Sequence, residues 1–238
     1  MENLKIHYFG CSFTAVEKSN SGHEFINYRH IIDRELNNNS INLSKTGKSN
    51  QHIFDDVYNE SKNIVDVKSE NLKNQLFIIQ TTFNDRLGLQ CDITDSFVSL
   101  CKRDGGVDYV DNILINFYND WLKYFYSRVN SLKEYKKQIE LIAAYLQNNG
   151  IKYIFIGIDT NLNFINDVKF FNDNNFIKFD NTYSLYEYIT ILKLRIADIQ
   201  TEDTKQKFGP DFHLNKDGHE LLAKNLLQMI KSTQPKFI

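Results

Sequence analysis

The sequence predicts an α/β protein with three layers, in which helices cover both faces of a mainly parallel sheet. Two observations carry this prediction. Continuous apolar runs at 76–80 and 153–158 are typical of central strands in a parallel sheet, because such strands are buried on both faces. Segments with apolar residues at helical spacing alternate with these runs, and repeated β-α units favour an α/β/α sandwich.

The same patterns predict the elements in chain order. Strands are expected at 4–9, 41–43, 76–80, 153–158 and 176–179. Helices are expected at 25–36, after Ser49, in two stretches between 117 and 146, at 185–199 and at 216–231. A helix is thus expected in each of the three connections between the first four strands, as parallel pairing requires.

We expect residues 1–238 to form one domain with an insertion at about 87–149. The first part of this insertion, to residue 108, has no periodic pattern and is expected to be irregular. The second part is expected to be helical. Phe117, Trp121 and Phe125 are four residues apart, which favours a helix with these aromatic rings facing the core.

Composition excludes several classes of protein. The 28 basic and 30 acidic residues give a net charge of −2, which argues against a main role in coating nucleic acid or an anionic membrane. No apolar run is long enough to span a membrane. The N-terminus has no basic region followed by an apolar one, so we expect no signal peptide and a cytoplasmic location. The three cysteines have neither disulfide nor zinc spacing.

Residues whose side chains or backbone groups could take part in catalysis follow the predicted strands. Ligands of open parallel sheets bind outside the carboxyl ends of the strands. There the sequence offers a serine in 10–14, a glycine turn in 46–50, a carboxamide in 81–86, and an Asp-x-His pair in 209–215 before the last helix. A hydroxyl, an imidazole, a carboxylate and oxyanion donors are the parts of a serine acyl-transfer site.

These four blocks, in this order over nearly the whole chain, resemble the SGNH (GDSL-like) hydrolase superfamily. The resemblance implies that Ser12 is the nucleophile and His213 the general base, oriented by Asp211. It also implies an oxyanion hole formed by the backbone N–H groups of Ser12 and Gly47 and the side chain of Asn84.

Three departures from the family pattern leave alternatives open. Cys11 stands where Asp is frequent, and we expect it to be a small buried residue rather than a rival nucleophile. The third block lacks its leading glycine. The Asp and His of the fourth block are separated by one residue rather than two, and Asp217 and His219 form a second pair with the same spacing. We prefer the first pair because Asn215 would then cap the last helix, with His219 in its first turns.

The resemblance implies a flavodoxin-like fold and a serine esterase that removes an O-acyl group, with O-acetyl preferred, from a carbohydrate or similar hydroxyl compound. No cofactor or metal is expected, and the expected partner is a small-molecule or carbohydrate acyl ester. The alternatives are an O-acyltransferase that uses the same residues and a non-catalytic SGNH-like binding domain. Arg86 is a candidate for substrate binding, although a surface ion pair is the preferred interpretation. The sequence indicates no oligomeric state.

Overall fold

Six strands and seven α-helices are defined in the computed structural model, which describes residues 4–15, 26–46, 48–67, 72–84, 87–91, 96–100, 116, 119–121, 123–159, 162, 175–208 and 211–233. The strands are β1 (Lys5–Phe9), β2 (Ile41–Asn42), β3 (Gln75–Gln80), β4 (Leu87–Cys91), β5 (Ser96–Leu100) and β6 (Lys152–Ile156). The helices are α1 (Ser12–Ala15), α2 (Tyr28–Leu36), α3 (Asn50–Val67), α4 (Arg128–Asn148), α5 (Leu185–Ile191), α6 (Glu202–Phe208) and α7 (Lys216–Thr233).

The central sheet has four parallel strands in the order β2-β1-β3-β6. All six residues of β3 are buried, as expected for a strand covered on both faces. In the register, Ile6 lies opposite Leu76, and Ile78 opposite Ile154. The predicted strand at 176–179 is reduced to isolated bridges, of which Phe176 with Phe155 extends the parallel pairing beyond β6.

Two pairs of helices pack in the outer layers, α2 with α7 and α3 with α4. Their apolar faces and the sheet form one core that includes Ile32, Ile53, Ile139 and Leu226, each no more than 1% exposed. This arrangement confirms the predicted α/β/α sandwich with a parallel sheet. No helix in the described part of the chain is long and apolar enough to cross a membrane.

The predicted helix at 185–199 is shorter than expected. It begins at the cap of Ser184, whose Oγ accepts the N–H of Glu187, and it ends at Ile191. Lys193 then adopts a left-handed conformation with φ of 56°, which a continuing helix does not permit. A separate 3₁₀ turn, Ile196–Asp198, follows, and α6 was not predicted.

The insertion differs from the prediction in two respects. The part expected to be irregular contains an antiparallel hairpin, in which β4 pairs with β5. Phe125, expected in the core, is 78% exposed. The backbone is helical at residues 119–121 and 123–124, and Trp121 is half-buried. The N–H groups of Phe125 and Tyr126 both bond to the carbonyl of Trp121, so this helix ends at Phe125, which lies exposed at its C-terminus. Phe117 lies outside the described residues, and the extent of the insertion stays a prediction.

Candidate active site

The turn that carries Ser12 is held by a residue of the neighbouring strand. Ser12 follows β1 directly and begins α1. The Oε1 atom of Gln80, the last residue of β3, accepts the N–H of Cys11 at 3.2 Å and the hydroxyl of Thr14 at 3.0 Å. A Cβ atom on Gly10 would approach that oxygen to 2.8 Å. Gly10 is therefore needed for close packing, and Gln80 fixes the backbone around Ser12.

Cys11 lies inside this turn and is 1% exposed. Its thiol donates to Gln80 Oε1 at 3.4 Å. Burial of this kind fits the structural role expected for Cys11, since a reactive thiol needs partial exposure and an electropositive setting.

Asp211 and His213 form a hydrogen-bonded pair in the loop before α7. One carboxylate oxygen, Asp211 Oδ1, accepts both the ring Nδ1–H of His213 at 2.7 Å and its backbone N–H at 3.0 Å. A carboxylate only accepts, so the proton is on Nδ1 and Nε2 is left as the basic nitrogen. The spacing of one residue is thus sufficient for a dyad, because both bonds close within a single tight turn.

The exposure of the pair suits its candidate role. The side chain of Asp211 is 5% exposed and that of His213 is 27% exposed. The backbone of Asp211 is held on both sides, since its N–H donates to Gln200 Oε1 at 2.9 Å and its carbonyl accepts from Ala197 at 2.6 Å. A buried carboxylate on a fixed loop can orient an imidazole that remains accessible to substrate.

The dyad lies beside the turn that carries Ser12. The ring of His213 packs against Phe13, the residue after Ser12, with ring centroids 5.0 Å apart. Among the described residues no hydrogen bond joins Ser12 Oγ to His213, so direct proton transfer between them belongs to the proposal below.

The rival pair is separated in the structure. Asp217 is exposed in the first turn of α7, whereas His219 is 1% exposed and its Nδ1 accepts the N–H of Tyr28 at 3.3 Å. Burial, together with the charges of His213 and Arg29, lowers the pKa of His219 to about 3. A buried imidazole with a lowered pKa is poorly suited to exchange protons with a substrate, which favours Asp211 and His213 as the pair.

The expected cap of the last helix is present. The side chain of Asn215 accepts the N–H of Gly218 at 2.9 Å, and the N–H of His219 bonds to the carbonyl of Asn215 at 3.0 Å. This cap ends the loop of the dyad at a defined point, immediately after Leu214.

Asn84 is held by three contacts. Its N–H donates to Asp159 Oδ2 at 2.9 Å, its carbonyl accepts from Ser131 Oγ at 3.0 Å, and its side-chain Oδ1 accepts from Asn50 Nδ2 at 2.9 Å. Its side-chain Nδ2 is buried and has no hydrogen-bond partner in the described part of the chain. These contacts fix the loop without the leading glycine of the family pattern, and they leave one amide donor of Asn84 unused.

Asp159 is a site residue that the sequence reasoning missed. It follows β6, is fully buried, and its Oδ1 accepts from Arg128 Nη2 at 3.2 Å. Burial lowers the pKa of Arg128, but the charge of Asp159 outweighs that effect and the net shift is upward. A carboxylate directly after a buried strand was the available signal, because it stands at the same sheet edge as Asn84.

An aromatic contact connects the loop of Asn84 with the loop of the dyad. Phe83 packs edge-on against Tyr186, with centroids 5.4 Å apart, and Tyr186 packs against Phe212 at 6.4 Å. Phe83 precedes Asn84, and Phe212 lies between the two dyad residues. Tyr186 therefore helps to set the separation of the two loops.

Comparison with solved structures identifies proteins with a similar fold. Lipase Lip_vut3 from a goat rumen metagenome has a TM-score of 0.51 at 12% identity, over 95% of this chain and 97% of that chain. A lipolytic protein of the G-D-S-L family from Veillonella parvula has a TM-score of 0.42 at 16% identity, over 95% and 98%. The chain shares its fold with Lip_vut3.

An acetylxylan esterase from Geobacillus stearothermophilus, a catalytic mutant, is also similar, with a TM-score of 0.42 at 13% identity over 95% of this chain and 93% of that chain. No family model and no curated relative matches the sequence. At such identities the likeness to Lip_vut3 shows the fold alone, and the activity has to be argued from the site itself.

Two residues expected in the SGNH site, Gly47 and Arg86, lie outside the described residues. Their roles stay predictions. Within the described ranges no group of three or more His, Cys, Asp or Glu side chains has the arrangement of a metal site.

Proposed function

We propose that this chain is a serine ester hydrolase of the SGNH type, which removes an O-acyl group, with O-acetyl preferred, from a carbohydrate or similar hydroxyl compound. The observation that carries the proposal is the Asp211–His213 pair beside the turn of Ser12. The buried Nδ2 of Asn84 supports it, since an oxyanion hole needs such a donor already in place. The carbohydrate class follows from the family resemblance.

The proposed mechanism uses the same residues in both half-reactions. Ser12 Oγ attacks the acyl carbonyl while His213 Nε2 takes its proton, and the buried carboxylate of Asp211 stabilises the imidazolium. The oxyanion accepts hydrogen bonds from the N–H groups of Ser12 and Gly47 and from Asn84 Nδ2. His213 then protonates the leaving alcohol, and water releases the acyl group by the reverse sequence. No step requires a cofactor.

The first test is hydrolysis of p-nitrophenyl acetate by wild type and by Ser12→Ala. The variant should lose essentially all turnover, because no hydroxyl remains to form the acyl-enzyme. Ser232→Ala is a matched control, since Ser232 is exposed on α7 and its hydroxyl bonds only within its own helix. Labelling by a fluorophosphonate should modify wild type at Ser12. Activity that survives in Ser12→Ala would contradict the proposal.

A second assay separates hydrolysis from acyl transfer. Wild type is given an acetyl donor with and without a sugar acceptor, and both free acetate and acetylated sugar are measured. Acetate release that is independent of the acceptor is expected. Acetyl transfer that suppresses acetate release would make the chain an acyltransferase with the same residues in the same roles.

A further inference from the structure

The oxyanion candidate Asn84 contacts a second carboxamide, that of Asn50. Asn50 is the first residue of α3 and is 8% exposed, and it lies 34 residues before Asn84 in the chain. Nothing in the SGNH pattern described above assigns a role to it. The contact matters because a carboxamide has two ends of opposite character, one that accepts hydrogen bonds and one that donates them.

The backbone of Thr82 determines which way Asn50 points. The N–H of Thr82 donates to Asn50 Oδ1 at 2.7 Å, and the carbonyl of Thr82 accepts from Asn50 Nδ2 at 3.1 Å. A backbone N–H can only donate and a backbone carbonyl can only accept. Exchanging the two ends of Asn50 would therefore break both bonds, so its orientation follows from the peptide groups themselves.

Asn50 in turn determines which way Asn84 points. The second N–H of Asn50 Nδ2 is left to meet Asn84, and it donates to Asn84 Oδ1 at 2.9 Å. Turning the Asn84 carboxamide over would set two NH₂ groups against each other. The Asn84 Nδ2 atom is consequently directed away from Asn50, where it is buried and has no partner among the described residues.

We propose that Asn50 is a positioning residue, which ensures that Asn84 presents an N–H donor and not a carbonyl oxygen to the oxyanion. This inference rests on the proposed function, in which Asn84 stabilises that oxyanion. With the opposite orientation a carbonyl oxygen would face the developing negative charge and repel it. The donor and acceptor groups of the Thr82 backbone thus determine, through the side chains of Asn50 and Asn84, that an N–H donor faces the reacting atoms.

Asn50 holds the backbone of Thr82, but the backbone of Asn84 is held by residues other than Asn50. The N–H of Asn84 is held by Asp159 and its carbonyl by Ser131. A change at position 50 should therefore rotate the Asn84 carboxamide and leave its backbone in place.

Asn50→Asp tests the orientation directly. The carboxylate still accepts the N–H of Thr82, but it has no donor for the Thr82 carbonyl or for Asn84 Oδ1. Asn84 therefore turns its NH₂ group toward position 50. We expect kcat for p-nitrophenyl acetate to fall by about 10²–10³, as for Asn84→Ala, with KM changed by less than about threefold. The double variant Asn50→Asp/Asn84→Ala should be no slower than Asn84→Ala within about threefold, because both changes remove one interaction.

Two further variants keep the test decisive. Asn175→Asp alters a carboxamide whose Nδ2 donates to the backbone carbonyl of Tyr153 at 3.1 Å. It removes the same kind of bond outside the site and should retain full kcat. Asn50→Ala leaves Asn84 free to adopt either orientation, and kcat should fall by about tenfold, again without a further loss in the Asn84→Ala background. If Asn50→Asp does not fold, Asn50→Ala decides.

The inference is overturned if either Asn50 variant keeps the wild-type kcat, or if its loss multiplies with that of Asn84→Ala. Failure of the proposed function is recognised separately, as wild-type protein without esterase activity that depends on Ser12.

Discussion

Replacing the buried His219 by Gln should make the folded protein less sensitive to acid. Burial and the charges of His213 and Arg29 lower the pKa of His219 from 6.5 to about 3 in the folded state. The unfolded chain regains the ordinary pKa, so between these two values it binds a proton that the folded protein does not. The stability contributed by neutral His219 is thus fully present above the unfolded pKa and is lost as the pH falls toward the folded one.

The expected change in the free energy of unfolding follows from the pKa shift of His219. One pKa unit corresponds to about 1.4 kcal/mol. Between about pH 7 and pH 5 the unfolded state gains about 2 kcal/mol from protonation of this one side chain, while the folded state gains almost nothing. Gln has no titrating group, and its Oε1 can accept the N–H of Tyr28 in place of His219 Nδ1.

The assay is the free energy of unfolding in urea at both pH values. Wild type should lose about 2 kcal/mol more than His219→Gln on acidification. Asn130→Gln is the control, because Asn130 is exposed on α4 and neither side chain titrates, so this variant should keep the pH dependence of wild type. An equal loss in wild type and His219→Gln would refute the argument. His219→Gln should also retain esterase activity, whereas a general base at this position would make it inactive.

Two further substitutions test the site. Asp211→Asn should lower kcat for p-nitrophenyl acetate by about 10⁴, because the carboxamide keeps the shape of the side chain but favours the wrong tautomer of His213. The matched control is Asp217→Asn, which changes an exposed carboxylate of the rival pair. Equal activities of the two variants would contradict the assignment of Asp211 and His213. Asp159→Asn should lower the free energy of unfolding by about 2 kcal/mol, because it weakens the hydrogen bonds that Arg128 and the N–H of Asn84 donate to a buried charged acceptor. Unchanged urea denaturation would show that these two bonds contribute nothing.

The sheet could be predicted because its central strands are continuous apolar runs in the sequence. The runs at 76–80 and 153–158 are apolar on both faces, and the structure buries them accordingly. The exposure of Phe125 could not be predicted in the same way. The four-residue spacing assumes a helix that continues, whereas the bonds to the Trp121 carbonyl end this helix at Phe125.

The loops of the candidate site were predictable from position, because Ser12 and Asn84 directly follow neighbouring strands. The residues that hold them were not. Gln80 acts on Cys11 from 69 residues away, Asp159 on Asn84 from 75, and Asn50 on Asn84 from 34. Contacts at such separations arise from the packing of strands and helices, and a single sequence has no local pattern that reports them.

Two glycines illustrate different limits on sequence change. At Gly10 neighbouring atoms exclude a side chain, because a methyl group would lie 2.8 Å from Gln80 Oε1 and from Thr14 Oγ1. Both of these atoms take part in hydrogen bonds around Ser12. At Gly150 the obstacle is the backbone, with φ of 72° and open space around it. In a library of all single substitutions selected for activity, position 10 should accept no other residue. Position 150 should accept Asn, which tolerates that conformation.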